Sequence, residues 1–118
     1  MPNHAVTINI EVGLPTVEEA RRLLKVELQK CRDKKVGAAK LIHGYGSTGV
    51  GGALRHAIRK SLLLRKKEGV VSDIIFGEKW DIFEKGTQRV LERCPELSSD
   101  RDLQKCNPGI TIILFCSQ

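Results

Sequence analysis

At 118 residues and 13.1 kDa the chain is long enough for one hydrophobic core and too short for two. With 41% hydrophobic and 29% charged residues it has the composition of a folded domain, which argues against disorder, and 4% aromatics make the core aliphatic. So few aromatics also argue against a surface of stacked rings such as the common single-strand RNA modules use. The net charge of +6 is concentrated: residues 53–68 hold six Lys/Arg against one acid, whereas 69–118 hold six against eight. A local basic stripe reads as a site for polyanions, nucleic acid or an acidic membrane surface; its plain alternative is a solvated helix face.

Val6–Val12 alternates apolar and polar residues, as a half-buried strand does. After the turn "GLPT", Thr16 and Glu19 have capping-box spacing, and Val17, Ala20, Leu24, Leu28 and Cys31 recur at helical spacing. Val36–His43 reads as a second, central strand parallel to a neighbour. It runs into "GYGSTGVGG", five glycines in the nine residues after His43. A second helix is expected from about Gly52 to Glu68, with Leu54, Ala57, Ile58 and Ser61 inward and Arg55, Arg59 and Lys66 on one strip. Arg65 falls near the apolar side and must snorkel. Val70–Phe76 and Ile110–Cys116 are the third and fourth strands, the latter introduced by Asn107-Pro108-Gly109. Between them 77–106 is the least regular part, with a short helix expected over Thr87–Cys94 and a further helical turn near Ser99. The order β-α-β-α-β-(77–106)-β favours a mixed α/β sheet of four strands, both long helices packed on it, in a single domain over 1–118.

The glycine loop would lie at the C-terminal end of the second strand, where open α/β sheets place their sites. A helix start offers unpaired N–H groups and positive dipole to a phosphate, and glycines permit close approach. Ser47 and Thr48 would add hydroxyl donors, and His43 would bring an imidazole to the same spot. No Lys follows the glycines as a P-loop requires. Gly44–Gly49 fits G-x-G-x-x-G, but the acid of a dinucleotide fold and the second mononucleotide half are missing.

No apolar run approaches a membrane span, and the N-terminus lacks the pattern of a secretion signal. A cytoplasmic, reducing setting is expected, with Cys31, Cys94, Cys106 and Cys116 as free thiols and Cys31 and Cys116 as small core residues. No C-x-x-C pair marks a metal site. Trp80 and Phe83 in "EKWDIFEKG" read either as anchors of 77–106 onto the core or as an aromatic contact surface.

"TVEEARRLLKVELQKC", "KLIHGYGSTG…ALRHAIRKSL" and "NPGITIILF" together resemble the Smr (small MutS-related) domain, over roughly 6–76 and 107–115. The resemblance implies a two-layer α/β sandwich like the C-terminal domain of translation initiation factor three, acting on DNA or RNA, in several cases as a structure-selective endonuclease. By position it puts His43, Gly44 and Gly46 in the signature loop and Arg55 just after it. The chain departs from the pattern at Asn9 and Glu11, where the family has Asp and His, at Tyr45, and in a longer loop through Gly52; 77–106 stands as an insertion.

The expected function is therefore nucleic-acid binding. Gly44, Gly46, Ser47, Thr48 and Gly49, with Arg55, Arg59, Lys60 and Lys66, would hold phosphates. If cleavage occurs, His43 is the acid–base candidate and Glu11 orients it, activates water or holds a divalent cation such as Mg²⁺ or Mn²⁺. The alternatives are a catalytically silent nucleic-acid or protein-interaction module and a nucleotide-binding enzyme.

Overall fold

The computed structural model describes residues 4–13, 15–44 and 49–116. Strands β1 (Ala5–Asn9), β2 (Ala38–Ile42), β3 (Asp73–Phe76) and β4 (Ile110–Leu114) form one sheet in the order β1-β2-β4-β3. β1 and β2 are parallel, with Ile8 opposite Leu41. β4 runs antiparallel to both of its neighbours, Ile112 facing Lys40 on one side and Ile75 on the other. The second strand is thus interior and parallel to the first, as its apolar run suggests.

Helix α1 (Val17–Asp33) begins at the expected capping box: Thr16 Oγ1 accepts from the Glu19 N–H at 3.1 Å, and the Glu19 carboxylate accepts from the Thr16 N–H at 3.0 Å. Helix α2 spans Gly49–Lys67 and so starts inside the glycine stretch rather than after it. Both helices lie on one face of the sheet. Ala20, Leu24 and Leu28 of α1 and Leu54, Ile58 and Leu62 of α2 enclose Ile8, Ala39, Leu41 and Ile113. Leu62, not Ser61, completes the inward stripe of α2. Arg65 turns its guanidinium to Glu68 at 3.0 Å, which lets its stem lie near the apolar side.

Strand pleating sends alternate residues of β2 and β4 to the opposite face. There Ala38, Ile75, Ile110, Ile112 and Leu114 pack against Trp80, Val90 and Cys94. Residues 77–106, irregular by sequence, are therefore a second cover for the sheet. They comprise a 3₁₀ turn at Gly77–Lys79, helix α3 (Lys85–Arg93) and a second 3₁₀ turn at Pro95–Ser99. A side chain at Gly77 would collide with the Asn107 carbonyl, so the segment leaves and rejoins the sheet at almost one point. With cover on both faces, all five residues of β4 are buried, which is why "ITIIL" does not alternate.

Trp80 and Phe83 part company. Trp80 is 1% exposed and donates from Nε1 to Asp100 at 3.0 Å, so it anchors the segment; Phe83 is 82% exposed. Cys31 and Cys94 are buried and all four thiols are free, but Cys116 is exposed just past β4 and is not the core residue its apolar neighbours suggest.

Candidate functional site

Because β1 and β2 are parallel, their C-terminal ends lie side by side, and the Ile10 N–H donates to the Ile42 carbonyl at 3.0 Å. This brings Glu11 to the turn at His43 and Gly44. Asn9 shapes the approach by accepting from the Glu11 N–H at 2.9 Å. Gly44 has φ +79°, which favours glycine, and the Glu11 carboxylate lies against it in the space a Cβ would take. The N–H groups of His43 and Gly44 both donate to the Gly109 carbonyl, each at 3.0 Å, which ties the root of the loop to the turn before β4. Gly46, Ser47 and Thr48, expected to line the loop, lie outside the described residues; Gly49 is the first residue of α2.

His43 is fully buried, and its ring is used on both sides. Nδ1 lies 2.7 Å from the Gly44 carbonyl and Nε2 2.9 Å from Thr111 Oγ1. A carbonyl can only accept, so Nδ1 carries the proton and Nε2 is the acceptor. Thr111 therefore donates its hydroxyl proton to Nε2, and its oxygen in turn accepts from Arg59 Nε at 3.2 Å. Burial pushes the His43 pKa down to about 4, and the positive charges of Arg59 and Arg55 push the same way. At neutral pH the ring is an uncharged bracket across the turn with no nitrogen left over for a substrate.

Arg59 is the hub behind it. It grips Glu78 with both arms, at 2.9 and 2.6 Å, and donates to the carbonyls of Pro108 at 3.2 Å and Ile110 at 3.0 Å. Its guanidinium also lies 4.3 Å over the Phe76 ring. Only a planar fork makes these contacts together. The hydrogen bond from Arg59 holds the Glu78 carboxyl below the usual carboxylate range. Neither Glu78 nor Thr111 stands out by sequence as a site residue; the one trace is the Gly109-Ile110-Thr111 spacing of the closing strand.

The basic strip of α2 divides accordingly. Arg59 is spent on this network. Lys66 is at the other end of the helix, about 25 Å along the axis from Gly49 at 1.5 Å per residue, and pairs with Asp73 at 2.9 Å. Asp73 also takes Arg89 at 2.9 Å. Arg55 lies close enough to raise the local potential at His43 and Glu78, yet among the described residues it makes no ion pair. Lys60, one turn on, is exposed. Among the described residues the structure thus brings together Glu11, His43 and Gly44, with Arg55 near His43 and Lys66 remote. Among the described residues no three His, Cys, Asp or Glu side chains gather to hold a metal ion.

These features belong to a known class. Residues 12–73, just over half of the chain, match the family model of the Smr domain, and the chain belongs to that family, which is generally associated with nucleic acid. Among solved structures it is similar to the Smr domain of Thermus thermophilus MutS2, at 21% identity over 96% of this chain and 98% of that one, with a TM-score of 0.55. At that identity the likeness is one of fold. No curated protein sequence matches. Among the described residues no helix is long and apolar enough to cross a membrane.

Proposed function

We propose that this Smr domain binds nucleic acid by its phosphates at the junction of β2 and α2. The observation that carries the reading is the division of charge on α2: Arg59, Arg65 and Lys66 are paired internally, whereas among the described residues Arg55, near His43, and the exposed Lys60 and Lys67 make no ion pair. The first turn of α2 supplies N–H groups and dipole, and Arg55 and Lys60 supply charge for flanking phosphates. Such contacts do not distinguish sequences, and their strength falls with salt.

Replacing Arg55 and Lys60 together with alanine is expected to weaken binding to duplex or single strand about tenfold or more at low salt. The slope of log affinity against log salt should shrink by about 1.4–1.8, the value for two lost phosphate contacts. Anisotropy titrations across a salt series measure both. A variant with an unchanged slope would remove Arg55 and Lys60 from the interface.

Phosphodiester cleavage is the second reading, and Glu11 is what favours it. This exposed carboxylate rests at Gly44, at the edge of the loop, where it can accept a proton from an attacking water or 2′-hydroxyl. His43 serves that reading by fixing the turn rather than by moving protons. Glu11→Gln is expected to retain binding and yield no product on a denaturing gel; cleavage at the wild-type rate would leave Glu11 without a chemical role.

A further inference from the structure

Most of the positive charge sits on one layer of the molecule. Residues 17–35 and 49–68, which comprise α1, α2 and the turns that end them, hold thirteen Lys/Arg against five acids; the rest of the chain holds seven against nine. The helix-bearing side is therefore cationic, and the opposite cover over 77–106, with six against seven, is not. On α1 this charge is ordered. Arg21, Lys25 and Arg32 are exposed and share one flank, beside the buried stripe of Leu24 and Leu28. From Arg21 to Arg32 the row runs about 16 Å along the helix at 1.5 Å per residue.

The same flank exists on α2. A shift of 34 residues maps Ala20, Leu24 and Leu28 onto Leu54, Ile58 and Leu62, and it maps Arg21, Lys25 and Arg32 onto Arg55, Arg59 and Lys66. The two helices pack side by side and run parallel, since β1, β2 and β3 all point the same way. On α2 this flank turns to β4 and β3, where Arg59 and Lys66 meet Glu78 and Asp73. On α1, which joins β1 to β2, the corresponding flank turns towards α2. No carboxylate takes it up there: among the described residues Arg21, Lys25 and Arg32 make no ion pair. The acids of the two helices are engaged elsewhere. Glu19 closes the capping box, Glu27 takes Lys30, Asp33 accepts from Gln29, and Glu68 takes Arg65. Only Glu18, in the first turn of α1, is left over among the described residues. The outward ridge of α2 adds Lys60 and Lys67, exposed and likewise without an ion pair among the described residues.

We propose that the surface between α1 and α2 is a track for a nucleic-acid backbone, with Arg21, Lys25 and Arg32 on one bank and Lys60 and Lys67 on the other. Helices in contact lie about 8–10 Å apart, so phosphates passing between them meet cations from both sides. A nucleic acid fits this surface better than a lipid does. A helix lying in a membrane interface needs a free apolar stripe, and the stripes of α1 and α2 are spent on the sheet. Both helices start at the edge where Glu11 meets the loop root, so the track leads away from the junction of β2 and α2. The proposal rests on the phosphate-binding reading above; it extends that surface onto α1 and makes the ligand a run of consecutive phosphates rather than a mononucleotide.

The test compares two triple variants with wild type on a labelled oligothymidylate and a duplex of the same length, across a salt series. One carries Arg21→Gln, Lys25→Gln and Arg32→Gln. The other carries Lys79→Gln, Lys85→Gln and Lys105→Gln and so removes the same charge from the opposite cover. All six side chains are exposed and glutamine suits a helix, so both should melt as wild type does. The α1 variant should bind about tenfold or more weakly at low salt, and its slope of log affinity against log salt should shrink by about 2.1–2.7, the value for three lost phosphate contacts. The variant of the opposite cover should stay within about twofold of wild type, because its lysines lie off the track. Equal weakening of the two would reduce the effect to net charge, and an unchanged slope in the α1 variant would leave that row without contacts; either overturns the proposal. If the α1 variant binds as wild type does while loss of Arg55 and Lys60 weakens binding, the junction reading stands and its extension onto α1 has failed. If wild type shifts neither ligand at low salt, both have failed. Binding of wild type to phosphatidylserine vesicles but to neither nucleic acid, lost in the α1 variant, would assign the surface to lipid and overturn the proposal.

Discussion

Substituting His43 with alanine is expected to cost about 3–5 kcal/mol of stability, the sum of a buried cavity and two unmade hydrogen bonds. The Gly44 carbonyl loses its donor and the Thr111 hydroxyl its acceptor, both in a region closed to water. The melting temperature should fall by ~10–20 °C for a domain of this size. The same residue imposes a pH dependence whose sign follows from its depressed pKa. The unfolded imidazole, near its ordinary value of about 6.5, takes up a proton before the folded one, which does so at about 4. Stability is therefore complete above the unfolded value and is lost as the pH falls towards the folded one, over a full swing of about 3 kcal/mol. Asp73, Glu78 and Asp102, whose folded pKa values are depressed, act in the next window down. Their contributions are present above the ordinary carboxylate range and disappear as the pH falls below it. Urea unfolding of wild type should thus weaken in two successive stages on acidification, and His43→Asn should lack the upper one. Parallel stability curves for the two proteins between neutral pH and the carboxylate range would show that the ring is not held neutral in the fold.

The second large effect lies on the other face of the sheet. Lys40 is an inward-facing residue of β2 whose side chain is 7% exposed and whose ammonium pairs with Asp100 at 2.8 Å and with Asp102. Burial works against the charge, but hydrogen bonds and attraction from the two carboxylates outweigh it and raise the lysine pKa. Asp100 also accepts from Trp80 Nε1 at 3.0 Å, and Asp102 from Asn107 Nδ2 at 3.0 Å. One lysine thus fastens the central sheet to both ends of the covering segment. Lys40→Ala leaves two carboxylates without their cation against an apolar face and is expected to cost about 3–5 kcal/mol. Limited proteolysis should then cut first within 77–106, at concentrations that leave wild type intact. A loss below about 1 kcal/mol, with that segment still resistant, would mean that Trp80 and Val90 hold it without help.

Much of this fold is legible in the chain because its signals are local. Thr16 and Glu19 announce the start of α1 three residues apart, and the spacing of Ala20, Leu24 and Leu28 states which side is buried. The order of strands and helices places the glycine stretch at the edge where Glu11 and His43 meet. The illegible part depends on partners distant in sequence. Arg59 looks like a phosphate ligand on a helical wheel, and nothing near it reveals that Glu78 and Thr111 claim its guanidinium. A histidine before a glycine run suggests a reactive group, but whether its ring faces solvent or the core is decided by the closing strand, 68 residues later. Charge counts suffer in the same way. The excess on 53–68 is real in the sequence, and Asp73 and Glu78 on neighbouring elements neutralise part of it in space.

The order of the strands bears on how the chain assembles. β4, last of the four in sequence, is not an edge strand but the one inserted between β2 and β3. β1, α1 and β2 can associate early as a parallel unit closed by a single crossover. β3 has no strand partner until β4 arrives, and the pairing of Ile110 with Ile42 and of Leu114 with Asp73 must span the whole intervening segment. Closing such long loops is slow compared with forming helices. In pulse-labelling exchange during refolding, amides of α1 should gain protection before those of β4. The arrival of β4 also places Thr111 and the Gly109 carbonyl, so the loop root takes its final geometry only once β4 is in place.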